Sequence, residues 1–343
     1  MNRRSFLQRS TVAALAAPFA GPFRNSLSAP LLKPPRLHPG ATIGLVSPAG
    51  AVYERVDLEI VQETLTALGL QSKAAPHVLA RRGYLAGSDA DRAADLHTLV
   101  ADPEVDALLA LRGGWGAGRL LPLLDYDLFR QHPKILVGYS DITSLLIALY
   151  ARSGLVTFHG PVGISTWNTF SVDYFRRVLF EGEAVQMQNP QDDSGLTVTR
   201  NRVQTITPGT ATGRLVGGNL TVLTSILGSP YLPDWTGHIL FLEDTGEDLY
   251  RIDRMLTHLK LAGVLDKLAG FVFGKCSDCD PGGGYGSLTL EELYDDHIAP
   301  LGIPAWHGAM IGHIADKFTV PLGVEVRIDA TEGAIQMLEP AVS

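Results

Sequence analysis

The sequence predicts an α/β protein whose first half builds a parallel sheet and whose second half is richer in strands. Three observations carry that expectation. Between Thr42 and His159, short apolar runs alternate with segments of helical spacing, the pattern of a sheet covered by helices on both faces. Glycine-containing turns follow the apolar runs, at Pro48-Ala49-Gly50 and Arg112-Gly113-Gly114. From about Trp167 to Asn201 the chain becomes polar and irregular, and it resumes with a different mix of elements.

Taken in order, Thr42–Ser47 is a continuous apolar run and reads as a buried strand. Val56 to Leu70 places Leu58, Ile60, Val61, Leu65 and Leu68 at helical spacing. Ser88 is a candidate N-cap for a helix running toward Val100, with Asp89 and Asp91 favourable in its first turn. Val105–Leu111 and Ile135–Tyr139 are further strands, Asp141–Ala151 is a helix, and Val156–His159 closes the series as a flavodoxin- or Rossmann-like sheet. In the second half, Val203–Val216 and Val324–Met337 are β-rich, Ile239–Glu243 and Phe271–Gly274 are apolar strands, and Leu249–Leu261 and Leu288–Ile298 are helical. The expected organisation is residues 1–29 as leader and start of an arm, 30–40 as the arm, 41–166 as an α/β domain, 167–202 as a linker and 203–343 as a β-rich domain.

The 343 residues suffice for two cores, and 45% apolar with 19% charged residues is ordinary globular composition. A formal charge of −8 argues against nucleic acid as a partner, since phosphate binding needs clustered Lys and Arg. Arg3 and Arg4, followed by Ser5, Phe6 and Leu7 and an Ala-rich run from Thr11 to Ala20, have the parts of a twin-arginine export signal. The run is too short for a permanent membrane span, and no Cys near Ala16 or Ala20 could carry a lipid. The expected location is therefore the periplasm or another extracytoplasmic space, without a stable membrane anchor. Cys276 and Cys279 are the two cysteines; with no second pair to complete a zinc site, they read as thiols at a strand end, open to bridging after export.

Four strand ends carry candidate chemistry. Gly138-Tyr139-Ser140-Asp141 lies where a strand turns into a helix, a place that holds a serine out of the sheet with the next backbone N–H available to an oxyanion. Ile142 stands where a full G-x-S-x-G elbow would have glycine, and Ser140 and Asp141 are equally good helix caps. Arg112-Gly113-Gly114-Trp115-Gly116 ends the preceding strand; its N–H groups could complete an oxyanion hole, and Arg112 could take a substrate carboxylate. Glu243 and Asp244 end a later strand, where one acid could orient an imidazole and both could begin the following helix. His313 follows Ile311-Gly312 before a turn-rich segment. The order Ser…Glu…His, each at a strand end, matches the roles of a serine hydrolase.

Together with Gly217–Asn219, Leu240–Asp244, Tyr250–Leu259 and Pro321-Leu322-Gly323, these motifs resemble the LD-carboxypeptidases, which include muramoyl-tetrapeptide carboxypeptidases and microcin C self-immunity proteins. The resemblance spans about Thr42 to Met337. It implies a triad of Ser140, Glu243 and His313, oxyanion donors at Gly114 and Asp141, an active site in a cleft between the two domains, and a homodimer. It also implies a murein peptide substrate cleaved before a C-terminal D-residue, with neither metal nor other cofactor. Arg112 and Asn219 are the candidates for holding the substrate's polar groups. Competing readings are an α/β-hydrolase esterase, which should show the complete elbow; a microcin C-type immunity peptidase; an exported binding protein with an idle Ser140; and a redox protein built on the cysteine pair.

Overall fold

A computed structural model describes residues 30–190, 196–281 and 286–343; residues 1–29, read as leader and start of the arm, lie outside the described residues. Its first sheet is assembled from the apolar runs anticipated above: β1 (Thr42–Val46), β2 (Gln71–Ala74), β3 (Ala107–Ala110), β4 (Ile135–Gly138) and β5 (Thr157–His159). These run parallel in the order β5-β4-β3-β1-β2. β3, β4 and β5 are buried along their whole length, which is why they read as unbroken apolar runs rather than alternating ones. β2 (Gln-Ser-Lys-Ala) sits at the edge with one neighbour and no apolar signal.

Helices α1 (Arg55–Ala67), α2 (Asp89–Ala101), α3 (Tyr126–Gln131) and α4 (Thr143–Ser153) connect these strands. Ser88 caps α2 by accepting the Asp91 N–H, as its position predicts. α4 is buried along most of its length, and a 3-10 turn, Ser140–Ile142, precedes it.

The stretch expected to be a linker is more ordered than its composition suggests. It carries helix α5 (Thr169–Leu179), capped by Asn168 and packed through Tyr174, Phe175, Val178 and Leu179. It also carries strand β6 (Gln186–Gln188). The polar residues flanking this apolar stripe mask it in a composition reading. The second sheet continues with β7 (Gln204–Thr207), β8 (Thr210–Asn219), β9 (Ile239–Thr245), β10 (Gly270–Ser277) and β11 (Ala305–His307). β12 (Val320–Leu322), β13 (Glu325–Asp329) and β14 (Ala334–Met337) complete the strands, and α6 (Leu220–Ser225), α7 (Leu249–Leu261) and α8 (Leu290–His297) the helices. The sheet order is β6-β14-β13-β8-β9-β10-β11-β7, with β8 to β11 parallel.

The domains are not sequential blocks. β12 leaves the second half and pairs antiparallel with β5, extending the first sheet. The arm is tied down as well: Leu37 is buried and donates its N–H to the Leu179 carbonyl, while Lys33 meets Glu339 at 2.7 Å. One continuous apolar core runs through both sheets.

Candidate active site

The carboxyl ends of β1, β3 and β4 converge, because strand order reverses between β1 and β3 and the loops there must part to opposite sides. The Gly50 N–H after β1 donates to the Gly113 carbonyl after β3 at 3.1 Å. Ser140, two residues beyond β4, has φ 63°, a left-handed conformation that a serine adopts only under constraint from its surroundings. It heads the turn into α4, so its hydroxyl stands at the positive end of that helix. Gly113 makes this packing possible: a Cβ there would lie 2.6 Å from Ser140 Cβ and 2.8 Å from its Oγ. Gly114, the next residue, is solvent-exposed with φ 112°.

Asp141 points away from solvent and accepts the Ala117 N–H at 2.7 Å. Burial pushes its carboxyl up to about 6, against the pull of that hydrogen bond. Its side chain thus fastens the glycine-rich loop to the serine turn, while its backbone N–H is the one that follows the serine.

β9 delivers the acid pair to opposite faces, as strand alternation requires. Glu243 is completely buried and accepts from His313 Nδ1 through Oε2 at 2.8 Å. Its other oxygen, Oε1, faces His159 Nε2 at 3.8 Å, an ion-pair distance longer than a hydrogen bond. Burial alone would raise the Glu243 carboxyl, but the two imidazoles outweigh it and hold it down at about 2. Asp244 turns to α6, where it accepts from Asn219 Nδ2, from the Thr221 N–H and hydroxyl, and from the Thr245 N–H. Burial, reinforced by the adjacent Glu243 charge, raises it to about 6.

His313 sits on the loop after β11. Gly312 has φ 127°, and a Cβ there would meet Glu243 Oε2 at 2.9 Å, so glycine is required for the imidazole and carboxylate to approach. The His313 carbonyl accepts from Ser277 Oγ at 3.0 Å. Its ring stands edge-on to Tyr139, centroids 4.8 Å apart, which puts the imidazole beside the residue preceding Ser140. With Nδ1 engaged by Glu243, Nε2 is the ring nitrogen left for proton transfer.

The two residues expected to hold substrate both have contacts of their own within the fold. Asn219 is buried under the site: its Oδ1 caps α6 at Val222, its Nδ2 holds Asp244, and its N–H donates to Thr143 Oγ1. It joins β8 to the helix behind Ser140, a structural role that a Gly-Gly-Asn string does not reveal. Arg112 is partly buried, and its Nη1 reaches back to the Ala51 carbonyl at 3.2 Å. Sequence reasoning missed His159, which ends β5 inside an apolar strand, and Lys317, whose ammonium lies 4.1 Å from the Tyr139 ring centroid. Cys276 and Cys279 form a disulfide at the end of β10. Among the described residues, no cluster of three or more His, Cys, Asp or Glu could hold a metal ion, and no helix is long and apolar enough to cross a membrane.

A strained serine at a strand-to-helix turn, a glycine loop against it and a buried Glu–His pair define a hydrolase site of the serine type. The comparisons agree with that class and narrow it. Residues 43–160 match the LD-carboxypeptidase N-terminal domain and residues 212–328 the LD-carboxypeptidase C-terminal domain. A probable murein peptide carboxypeptidase of Bacillus subtilis is 39% identical over 305 residues, covering 88% of this chain and 92% of the relative. The murein tetrapeptide carboxypeptidase of Pseudomonas aeruginosa is 32% identical over 82% of this chain and 91% of its own. Among solved structures, the microcin C7 self-immunity protein MccF superposes with a TM-score of 0.82 at 28% identity, covering 91% of this chain and all of that one. The muramoyltetrapeptide carboxypeptidase from Oxalobacter formigenes gives 0.74 at 29%, covering 87% and 98%. The chain belongs to the LD-carboxypeptidase family and is a serine-type carboxypeptidase.

Proposed function

We propose that the protein removes the C-terminal D-alanine from murein tetrapeptides by cleaving the LD peptide bond that precedes it. The observation that carries this reading is the buried 2.8 Å Glu243–His313 pair beside a serine turn whose φ is 63°. His313 Nε2 takes the Ser140 proton as Oγ attacks the scissile carbonyl, and Glu243 stabilises the imidazolium that forms. The N–H groups of Gly114 and Asp141 hold the oxyanion. Collapse breaks the C–N bond, the leaving amine takes the proton from His313, and water then hydrolyses the acyl-enzyme to free the tripeptide and regenerate Ser140.

The paired arginines and short apolar run of residues 1–20 support export, and a disulfide suits an oxidising compartment. Export would put the enzyme beside the wall itself; a reporter fused after residue 40 that stays cytoplasmic when fully expressed would remove that part of the reading. A homodimer belongs to the same reading and predicts twice the chain mass in light scattering.

The test is turnover of an LD-linked muramyl tetrapeptide, followed by mass spectrometry, with wild type and Ser140→Ala in parallel. Loss of one D-alanine by wild type alone is the expected result. Equal release by both would exclude Ser140 as nucleophile. Release by neither, with an aminoacyl-sulfamoyl nucleotide bound or an aminoacyl-nucleotide cleaved instead, would favour an activity of the immunity-protein type, the second reading that the likeness to MccF supports.

A further inference from the structure

Among the described residues, Lys317 is a cation with no acidic partner within ion-pair distance, in the least suitable place for one. It is 4% exposed, and among the described residues no carboxylate lies within ion-pair distance of its ammonium. The ammonium instead rests on the Tyr139 ring, 4.1 Å from its centroid. That ring is edge-on to His313 and belongs to the residue just before Ser140. Burial pushes the ammonium down to about 8, with the Glu243 charge only partly opposing the shift. A buried, unpaired charge is held against a desolvation penalty, and such a charge is satisfied when a ligand of opposite sign arrives.

The chemistry of the proposed reaction says where that ligand charge must be. His313 returns its proton to the leaving amine, so the leaving D-residue lies on the imidazole side of the site. Its carboxylate is attached to the carbon bonded to that amine, and therefore falls on the same side. Lys317, four residues beyond His313 and separated from it by one aromatic ring, is on that side. Arg112 follows β3, directly before Gly113–Gly114, and its Nη1 donates to the Ala51 carbonyl. Arg92 is consumed by Asp89 and by the Pro48 and Gly116 carbonyls.

We infer that Lys317 binds the free C-terminal carboxylate of the substrate and so makes the enzyme a carboxypeptidase rather than an endopeptidase. This rests on the function proposed above. The test uses two probes, the murein tetrapeptide and its C-terminal carboxamide, bound to Ser140→Ala protein by calorimetry. The acid is expected to bind about 10- to 100-fold more tightly than the amide, the range for a hydrogen bond to a charged group. Ser140→Ala/Lys317→Met should bind both equally, at the affinity of the amide, and Ser140→Ala/Lys317→Arg should recover part of the preference. Circular dichroism checks folding, and Lys317→Gln replaces Lys317→Met should the latter not fold. A preference for the acid that survives removal of the ammonium would overturn the assignment, as would equal binding of acid and amide to Ser140→Ala. Binding of neither probe to Ser140→Ala would overturn the murein substrate and this assignment together.

Discussion

His159 Nε2 stands 3.8 Å from Glu243 Oε1, and both atoms are buried with no hydrogen-bond partner among the described residues. The carboxylate that orients His313 with one oxygen is thus faced by a second imidazole on the other. Two contacts fix the plane of a carboxylate where one leaves it free to turn. His159→Phe is expected to lower kcat about 10-fold or more with KM little changed, because aim is lost rather than binding. His159→Gln, which keeps a polar N–H group facing Oε1, should retain more activity. Steady-state kinetics on the tetrapeptide read both, and a phenylalanine variant with wild-type kcat would show that His159 only fills space.

The contact between Gly113 and Ser140 leaves no room for a methyl group. Gly113→Ala should therefore fold but displace the serine turn. A misplacement on the scale of an ångström costs about 100-fold in rate. Reaction with a fluorophosphonate probe isolates the effect, since it reports the serine without the peptide. Labelling at the wild-type rate would mean that the loop yields to the added atoms.

The acids beneath the site predict an unusual pH dependence of stability. Asp141 and Asp244 are both raised from 3.8 to about 6. Each therefore contributes stability that is complete below pH 3.8 and is lost as pH rises through 6, up to ~3 kcal/mol apiece. Glu243 has the opposite sign: depressed from 4.5 to about 2, it stabilises above pH 4.5 and loses that contribution as pH falls through 2. Between pH 4.5 and 7 the buried aspartates dominate among these three, so this site should weaken the fold as pH rises. Asp141→Asn should remove about half of that decline, measured as urea midpoints across the window. An unchanged slope in the variant would mean that Asp141 does not ionise in this range.

The disulfide closes the turn that carries Ser277, and Ser277 Oγ holds the His313 carbonyl. Replacing Cys276 and Cys279 by serine should cost about 2 kcal/mol of stability, the value for so small a loop. It should also reduce kcat, because the turn behind His313 loosens. Wild-type protein treated with dithiothreitol should melt like the variant. Identical melting of oxidised and reduced wild type would leave the bridge without a structural role.

Much of this architecture was legible in the linear sequence because its signals are local. Thr42–Val46, Ala107–Ala110, Ile135–Gly138 and Ile239–Thr245 are apolar runs that end in turns, and burial on both faces leaves little choice but strand. The cap at Ser88 and the helix Leu249–Leu261 follow from hydrogen-bonding and periodicity within a few residues. Ser140, Glu243 and His313 were visible as chemistry at strand ends, and their order suggested a common purpose.

What the tertiary structure decided is everything that depends on residues distant along the chain. His159 looks like part of an apolar strand until β9 brings Glu243 beside it, and Lys317 looks like a solvated surface lysine until the loop after β11 lays it on Tyr139. Asn219 looks free to meet a ligand until Asp244, Val222 and Thr143 are seen to occupy it. β12 carries nothing in its three residues that says which sheet it will join; pairing with β5 does. The reason is physical: periodicity and capping report energies within a turn or two of chain. Charge pairing, desolvation and close backbone approach depend on neighbours that only the fold supplies.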